Sequence, residues 1–159
     1  MTETDHVMSV MHASFDPEWN EVWSRKQIAD ALTLPYTHLL LLNEQARPAK
    51  GTDKACAFAL SRHVMDEEEL LLIGVRPECR GRGLGRMLLN DLISASLKRE
   101  VSKLFLEVRE NNPARKFYAD FGFEQIGRRR GYYRSKSGDT MDAITMGLSI
   151  SDSIYAQAS

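Results

Sequence analysis

No stretch of this sequence stays apolar for long enough to cross a bilayer, and the polar start MTETDH has no apolar core of the kind a secretory signal needs. The expectation is a soluble, cytoplasmic chain with no membrane partner. Cysteine is scarce. Cys56 and Cys79 are too few for a disulfide framework and have no Cys/His cluster beside them, so they read as free thiols rather than as a zinc site. His6, His12, His38 and His63 are scattered, and no metal is expected. Charge of one sign is also missing: 21 Lys and Arg against 22 Asp and Glu leave a formal net charge of −1. Nucleic-acid binders usually present a basic surface. Only Arg128-Arg129-Arg130 with Tyr132 and Tyr133 interleaves basic and aromatic residues. That run lies in a strand-like segment whose alternate residues face opposite sides, so no nucleic-acid partner is expected.

What is present suffices for one domain with a substantial core: 159 residues, 43% of them hydrophobic. That domain is expected over residues 1–150, with 151–159 as a disordered tail. Val7, Val10, Met11 and Phe15 recur at helical spacing, and Ser24 with Gln27 forms a capping box for a second helix that ends before Pro35. Trp19 and Trp23 lie between the two helical patterns. Thr37 to Asn43 and Lys54 to Val64 read as strands joined by a loop containing Pro48 and Gly51. The acidic run Asp66-Glu67-Glu68-Glu69 reads as the end of a solvated turn leading into a strand at Leu70. Short connections between successive strands imply an antiparallel meander. Lys103 to Val108 alternates as a strand. A helix follows Asn111-Asn112-Pro113 and stops at Gly122, and Phe123 to Tyr133 and Asp142 to Ile150 form a last hairpin.

The stretch from Leu70 to Leu89 organises the rest. An apolar run ends at Val75, a turn with Pro77, Gly81, Gly83 and Gly85 follows, and Gly85 opens an amphipathic helix whose buried side carries Met87, Leu88, Leu92 and Ile93, with Arg99 facing out. Strand, glycine-rich loop and helix N-terminus together make a cradle for a pyrophosphate, because glycine lets backbone N–H groups approach closely and the helix dipole favours negative charge. The spacing is not GxGxxG, and no Gly-Lys-Ser/Thr closes the loop, so both common nucleotide-binding patterns weaken.

Arg80-Gly81-Arg82-Gly83-Leu84-Gly85 resembles the R/Q-x-x-G-x-G/A signature of the GNAT acetyltransferases. Leu106-Glu107-Val108-Arg109, Asn111, Tyr118 with Phe121-Gly122-Phe123, Arg129 to Tyr133, and Asp142-Ala143-Ile144 resemble the ribosomal-protein-alanine N-acetyltransferase branch of that family. The likeness runs from about Asp66 to Ile150. It implies a mixed α+β GNAT fold: a central, mostly antiparallel twisted sheet with a splayed parallel strand pair and helices on both faces. It implies acetyl-CoA as co-substrate, held by Arg80, Gly81, Arg82, Gly83, Leu84, Gly85 and Arg86 at the pyrophosphate and by the backbone of Ile73, Gly74 and Val75 along the pantetheine arm. A backbone N–H near Val75 would serve the oxyanion. Family members usually begin with a strand before the first helix, and here that edge strand is expected to be very short or missing.

Acetyl transfer needs a neutral amine and a proton for the departing thiolate, and an α-amine with a pKa of about 8 is mostly protonated at neutral pH. Glu107, in an otherwise apolar strand, needs partners or a job. The resemblance names it as general base, with a salt bridge to Arg109, Lys103 or a neighbouring strand as the plain alternative. Glu69 is the second candidate base and a substrate-side residue. Tyr118 is implied as general acid toward the CoA sulfur, while Phe117 and Phe121 are expected in the core. Between Glu107 and Tyr118 the chain has one residue fewer than the branch shows, so Asn111 or Asn112 takes the place of the asparagine that contacts CoA. Asn111, seven residues before Tyr118, has the family spacing. Tyr132 is the first choice for the acceptor groove, which Trp19, Trp23 and Tyr36 would also line. The implied acceptor is a protein or peptide N-terminus, such as that of a ribosomal protein, acetylated by direct attack in a ternary complex by a monomer or weak dimer. A lysine side chain, a small amine or a non-catalytic CoA-sensing role are the alternatives.

Overall fold

A computed structural model describes residues 1–151. Its elements, in chain order, are α1 (Glu3–Ser14), α2 (Arg25–Leu32), β1 (Thr37–Asn43), β2 (Ala55–Val64), β3 (Glu67–Val75), α3 (Leu84–Lys98), β4 (Lys103–Arg109), α4 (Ala114–Phe121), β5 (Glu124–Arg134) and β6 (Thr140–Ser149). Among the described residues no strand precedes α1. The strands form one six-stranded sheet in the order β1-β2-β3-β4-β6-β5. Except for its first residue, Ser151, the expected tail lies outside the described residues.

Contacts divide the chain into two compact units, and β3 and α3 each run through both. The first unit comprises Met1–Pro17, Glu21–Arg62 and Leu71–Leu92. Here β1 and β2 pair antiparallel, from Thr37 opposite Arg62 to Asn43 opposite Ala55. Val7, Val10 and Met11 of α1, Ile28 of α2, and Phe58, Leu60 and Leu72 of the strands close a core in which Trp23 is partly buried. Both helices start on capping boxes. Thr2 and Asp5 exchange side-chain and backbone bonds at α1, as Ser24 and Gln27 do at α2, satisfying N–H groups that a helix start leaves unpaired.

The second unit comprises Glu18–Asn20, His63–Leu70 and the described residues from Ile93 onward. Its strands are joined by one parallel ladder, Glu67–Leu70 against Lys103–Leu106, and by antiparallel ladders of β4 with β6 and of β6 with β5. The expected parallel pair is therefore present, and its ladder ends at Leu70 and Leu106. α4 begins after Pro113 and ends at Gly122, whose φ of +122° suits a residue without a Cβ.

The acidic run departs from expectation. Only Met65 and Asp66 turn, and Glu67 to Glu69 already belong to β3. Glu68 is fully buried: Arg99 Nη2 reaches its two oxygens at 2.7 and 2.6 Å, and Ser96 Oγ donates to it at 2.9 Å. Arg99, expected to face out, turns back because a buried carboxylate without a cation is costly. Met87, expected on the buried side of α3, is instead exposed.

Candidate active site

The candidate residues divide between the two units. In the first, β3 ends at Ile73-Gly74-Val75, and Gly74 is fixed by sterics: a Cβ there would lie 2.8 Å from Ser14 Oγ, 3.0 Å from Phe58 and 3.2 Å from Phe15. The strand end therefore packs directly on the last turn of α1. A short 3₁₀ turn, Pro77–Cys79, leads into the loop. Arg76 braces that turn on β2: its N–H donates to the Cys56 carbonyl at 2.8 Å, its Nε donates to the Ala55 carbonyl at 2.7 Å, and its guanidinium also bonds Ser9 Oγ. Cys56 and Cys79 are free thiols, both buried, with their sulfurs 2.7 Å apart. Burial first, and then the Cys79 thiol, push the Cys56 thiol up to about 11.

The loop itself is open. Gly81 and Gly83 have φ of +78° and +77°, and an added Cβ at either would meet nothing within 4 Å. The left-handed backbone and the open space at both glycines leave the loop's main chain accessible to a ligand. α3 starts at Leu84, so the N–H groups of Leu84, Gly85 and Arg86 belong to its first turn, where no carbonyl four residues back can serve them. Arg82 and Arg86 are exposed beside them. Arg80 points the other way: its Nε donates to the Val75 carbonyl at 3.2 Å and its Nη2 to the Ser14 carbonyl at 3.4 Å. It ties the loop to the end of β3, a bracing role that the motif alone does not reveal.

In the second unit, Glu107 lies on β4 between the buried Leu106 and Val108 with its side chain 20% exposed. Its Oε1 accepts from Arg129 Nε at 2.9 Å. A salt bridge to Arg109, Lys103 or a neighbouring strand is the expected alternative to catalysis; a salt bridge is present, but its partner Arg129 reaches across β6 from β5. Arg129 also lies over the Tyr132 ring, 5.3 Å from its centroid, and Tyr132, 54% exposed, meets Tyr133 edge-on. Glu107, Arg129 and Tyr132 are thus brought together. Glu69 shares the face of Glu107, since it is registered with Phe105, two residues earlier on β4. Tyr118 is the buried residue of α4; its ring lies 5.6 Å from Phe117 and 5.8 Å from Phe123. Phe117 and Phe121, expected in the core, are only half-buried.

The two asparagines separate by their bonds. Asn112 Oδ1 accepts from the Ala114 N–H at 2.9 Å and so serves the start of α4. Asn111 is exposed, and its Oδ1 accepts from Arg109 Nε at 2.6 Å. Both line a cavity of about 500 Å³ together with Pro113, Lys116 and Phe123. The arginine run is largely neutralised by local acids. Arg128 pairs with Glu110 at 2.8 Å and with Asp142 at 2.5 Å, which raises its already high pKa. The Gly131 N–H and then Arg128 hold the Asp142 carboxyl below its ordinary range. The contacts of Arg109 with Asn111, of Asp142 with Arg128 and of Arg129 with Glu107 escaped sequence reasoning, although all three residues lie in the quoted motifs. The acidic residues opposite an arginine run were the available signal for the last two.

Among the described residues no cluster of His, Cys, Asp and Glu could hold a metal, and no helix is long and apolar enough to cross a membrane. The profile of the acetyltransferase (GNAT) family matches residues 5–123. A ribosomal protein bS18-alanine N-acetyltransferase of Salmonella typhimurium is 45% identical over 100 residues, covering 62% of this chain and 67% of that protein. Another so named, from Haemophilus ducreyi, is 33% identical over 139 residues, covering 84% and 94%. The crystal structure of the ribosomal-protein-S18-alanine N-acetyltransferase of Escherichia coli superposes with a TM-score of 0.76 at 33% identity, covering 95% of this chain and 91% of that one.

Proposed function

Because the chain belongs to the acetyltransferase (GNAT) family, we propose that it transfers the acetyl group of acetyl-CoA to the N-terminal α-amine of a protein, a ribosomal protein in the cytoplasm being the favoured acceptor. The observation that carries the reading is the open glycine loop, where Gly81 and Gly83 leave room for a pyrophosphate beside the first turn of α3. The relatives named for alanine N-acetylation support the choice of acceptor.

Acetyl-CoA supplies an activated thioester. Glu107 takes one proton from the acceptor ammonium to free its lone pair, the amine nitrogen forms a bond to the acetyl carbon as the carbon–sulfur bond breaks, and the nitrogen's second proton passes to water. Main-chain N–H groups at Gly74 and Val75 favour the negative charge that develops on the acetyl oxygen, and Tyr118 gives the departing sulfur its proton. Tyr132 and Glu69 orient the acceptor, Glu69 by attracting its ammonium. Asn111 contacts acetyl-CoA.

The test is incubation of the purified chain with acetyl-CoA and peptides beginning Ala, Ser, Met or Gly, beside an N-terminally blocked peptide containing lysine, with thiol release followed over time. Release with a free N-terminus is expected. Binding of CoA without release from any peptide overturns N-acetylation in favour of a sensing role, and release with the lysine peptide alone moves the acceptor to a side chain.

A further inference from the structure

Three side chains of the second unit form a relay that the motif does not contain. Arg109, the last residue of β4, is 5% exposed. Its Nε donates to Asn111 Oδ1, and its guanidinium carbon stands 4.9 Å from the centroid of the Trp19 indole. A guanidinium only donates, so it can face the oxygen of a carboxamide but not its NH₂. The bond therefore fixes the flip of Asn111: oxygen toward Arg109, both N–H donors turned away from it. The cation stands over the indole ring, an arrangement favoured by the ring quadrupole. Trp19 is itself anchored through its neighbour. Glu18 Oε1 accepts from the Ser137 N–H at 3.1 Å and from Ser137 Oγ at 2.7 Å, and the Glu18 carbonyl accepts from Lys136 at 2.8 Å.

We propose that Arg109 is a positioning residue that presents the N–H groups of Asn111 to acetyl-CoA, and that Trp19, whose ring the guanidinium stands over, holds Arg109 in that pose. The proposal rests on the reading of Asn111 as a residue that touches acetyl-CoA. It makes the affinity for acetyl-CoA depend on an aromatic residue of the segment between α1 and α2, through a chain of contacts rather than by touching the ligand.

The test is the dissociation constant of acetyl-CoA, measured by titration calorimetry on the full chain. Trp19 is only half-buried, so Trp19→Leu spares the core, and equal melting temperatures confirm that the compared variants are folded. Asn111→Ala is expected to weaken binding about tenfold, the scale of a hydrogen bond lost from a bound ligand. Trp19→Leu is expected to weaken it about threefold, with Trp19→Phe restoring most of the loss because the aromatic face returns. Introduced into Asn111→Ala, Trp19→Leu should have no further effect. An equal loss in both backgrounds, or none in the wild-type background, overturns the relay while leaving acetyl-CoA binding intact. If Asn111→Ala alone changes nothing, the relay fails with the assignment of Asn111. Absence of binding by the wild-type chain sinks the acetyltransferase reading and the relay together.

Discussion

Arg129 Nε lies 2.9 Å from Glu107 Oε1, so the carboxylate assigned the proton transfer starts with a guanidinium already bound to it. Arg129 is 61% exposed, and such a pair contributes no more than about 1 kcal/mol to stability. Its importance lies in holding the carboxylate in one orientation. Glu107→Gln is expected to lower kcat by about a hundredfold or more while the dissociation constant of acetyl-CoA stays within twofold, about the size of a lost general base. Arg129→Gln should leave the melting temperature nearly unchanged. A wild-type kcat in Glu107→Gln would transfer the base role to Glu69 or to water.

Glu68 and Arg99 make the opposite case, a pair whose carboxylate is wholly buried. Removing the cation strands the anion, so Arg99→Met should cost about 3–5 kcal/mol in urea unfolding. Replacing both, Glu68→Met with Arg99→Met, should recover most of that. A double variant no more stable than Arg99→Met would show that the loss came from packing.

Two glycines differ in how far a side chain would disturb the packing. At Gly74 an added methyl meets Ser14, Phe58 and Phe15, and Gly74→Ala should cost about 1–3 kcal/mol by overpacking. At Gly83 the space is open, and Gly83→Ala should cost only about 1–2 kcal/mol for its left-handed backbone while acetyl-CoA affinity falls sharply. Thermal melts and calorimetric titration of the two variants check both statements. Full affinity in Gly83→Ala would remove the loop from the ligand site.

The Cys56 thiol is held up at about 11, against an ordinary value of 9.0, chiefly by burial. In the unfolded chain the thiol ionises first, so its contribution to stability is complete below about pH 9 and is lost as pH rises toward about 11. Urea unfolding from pH 7.5 to 11 should show a shallower alkaline decline in Cys56→Ala than in the wild type. Parallel declines would show that other groups set the alkaline limit.

The local elements were legible in the sequence because their signals are local. Ser24 with Gln27, Pro113 near the start of α4 and Gly122 after it act within a few residues, and the helices they bound fall where the spacing places them. The parallel pair of β3 and β4 followed from the family likeness rather than from composition. Glu68 was not legible, because its partners Ser96 and Arg99 are 28 and 31 residues away and the acids around it read as solvated. The Arg129 partner of Glu107 was hidden by topology, since β6, the last strand in sequence, lies between β4 and β5. The contact of Trp19 with Arg109 joins residues 90 positions apart (109 − 19), and no periodicity records it.

Asp142 faces a bulge: Arg129 is registered with Ala143 and Tyr133 with Met141, leaving Arg130, Gly131 and Tyr132 opposite this one residue. Its carboxylate takes both the Gly131 N–H and the Arg128 guanidinium. A bulge pinned at one point can change its residues without disturbing the register on either side. Tyr132, proposed for the acceptor, therefore stands in a segment whose length and side chains can vary while the pairing of β6 with β4, the strand that carries Glu107, stays in place.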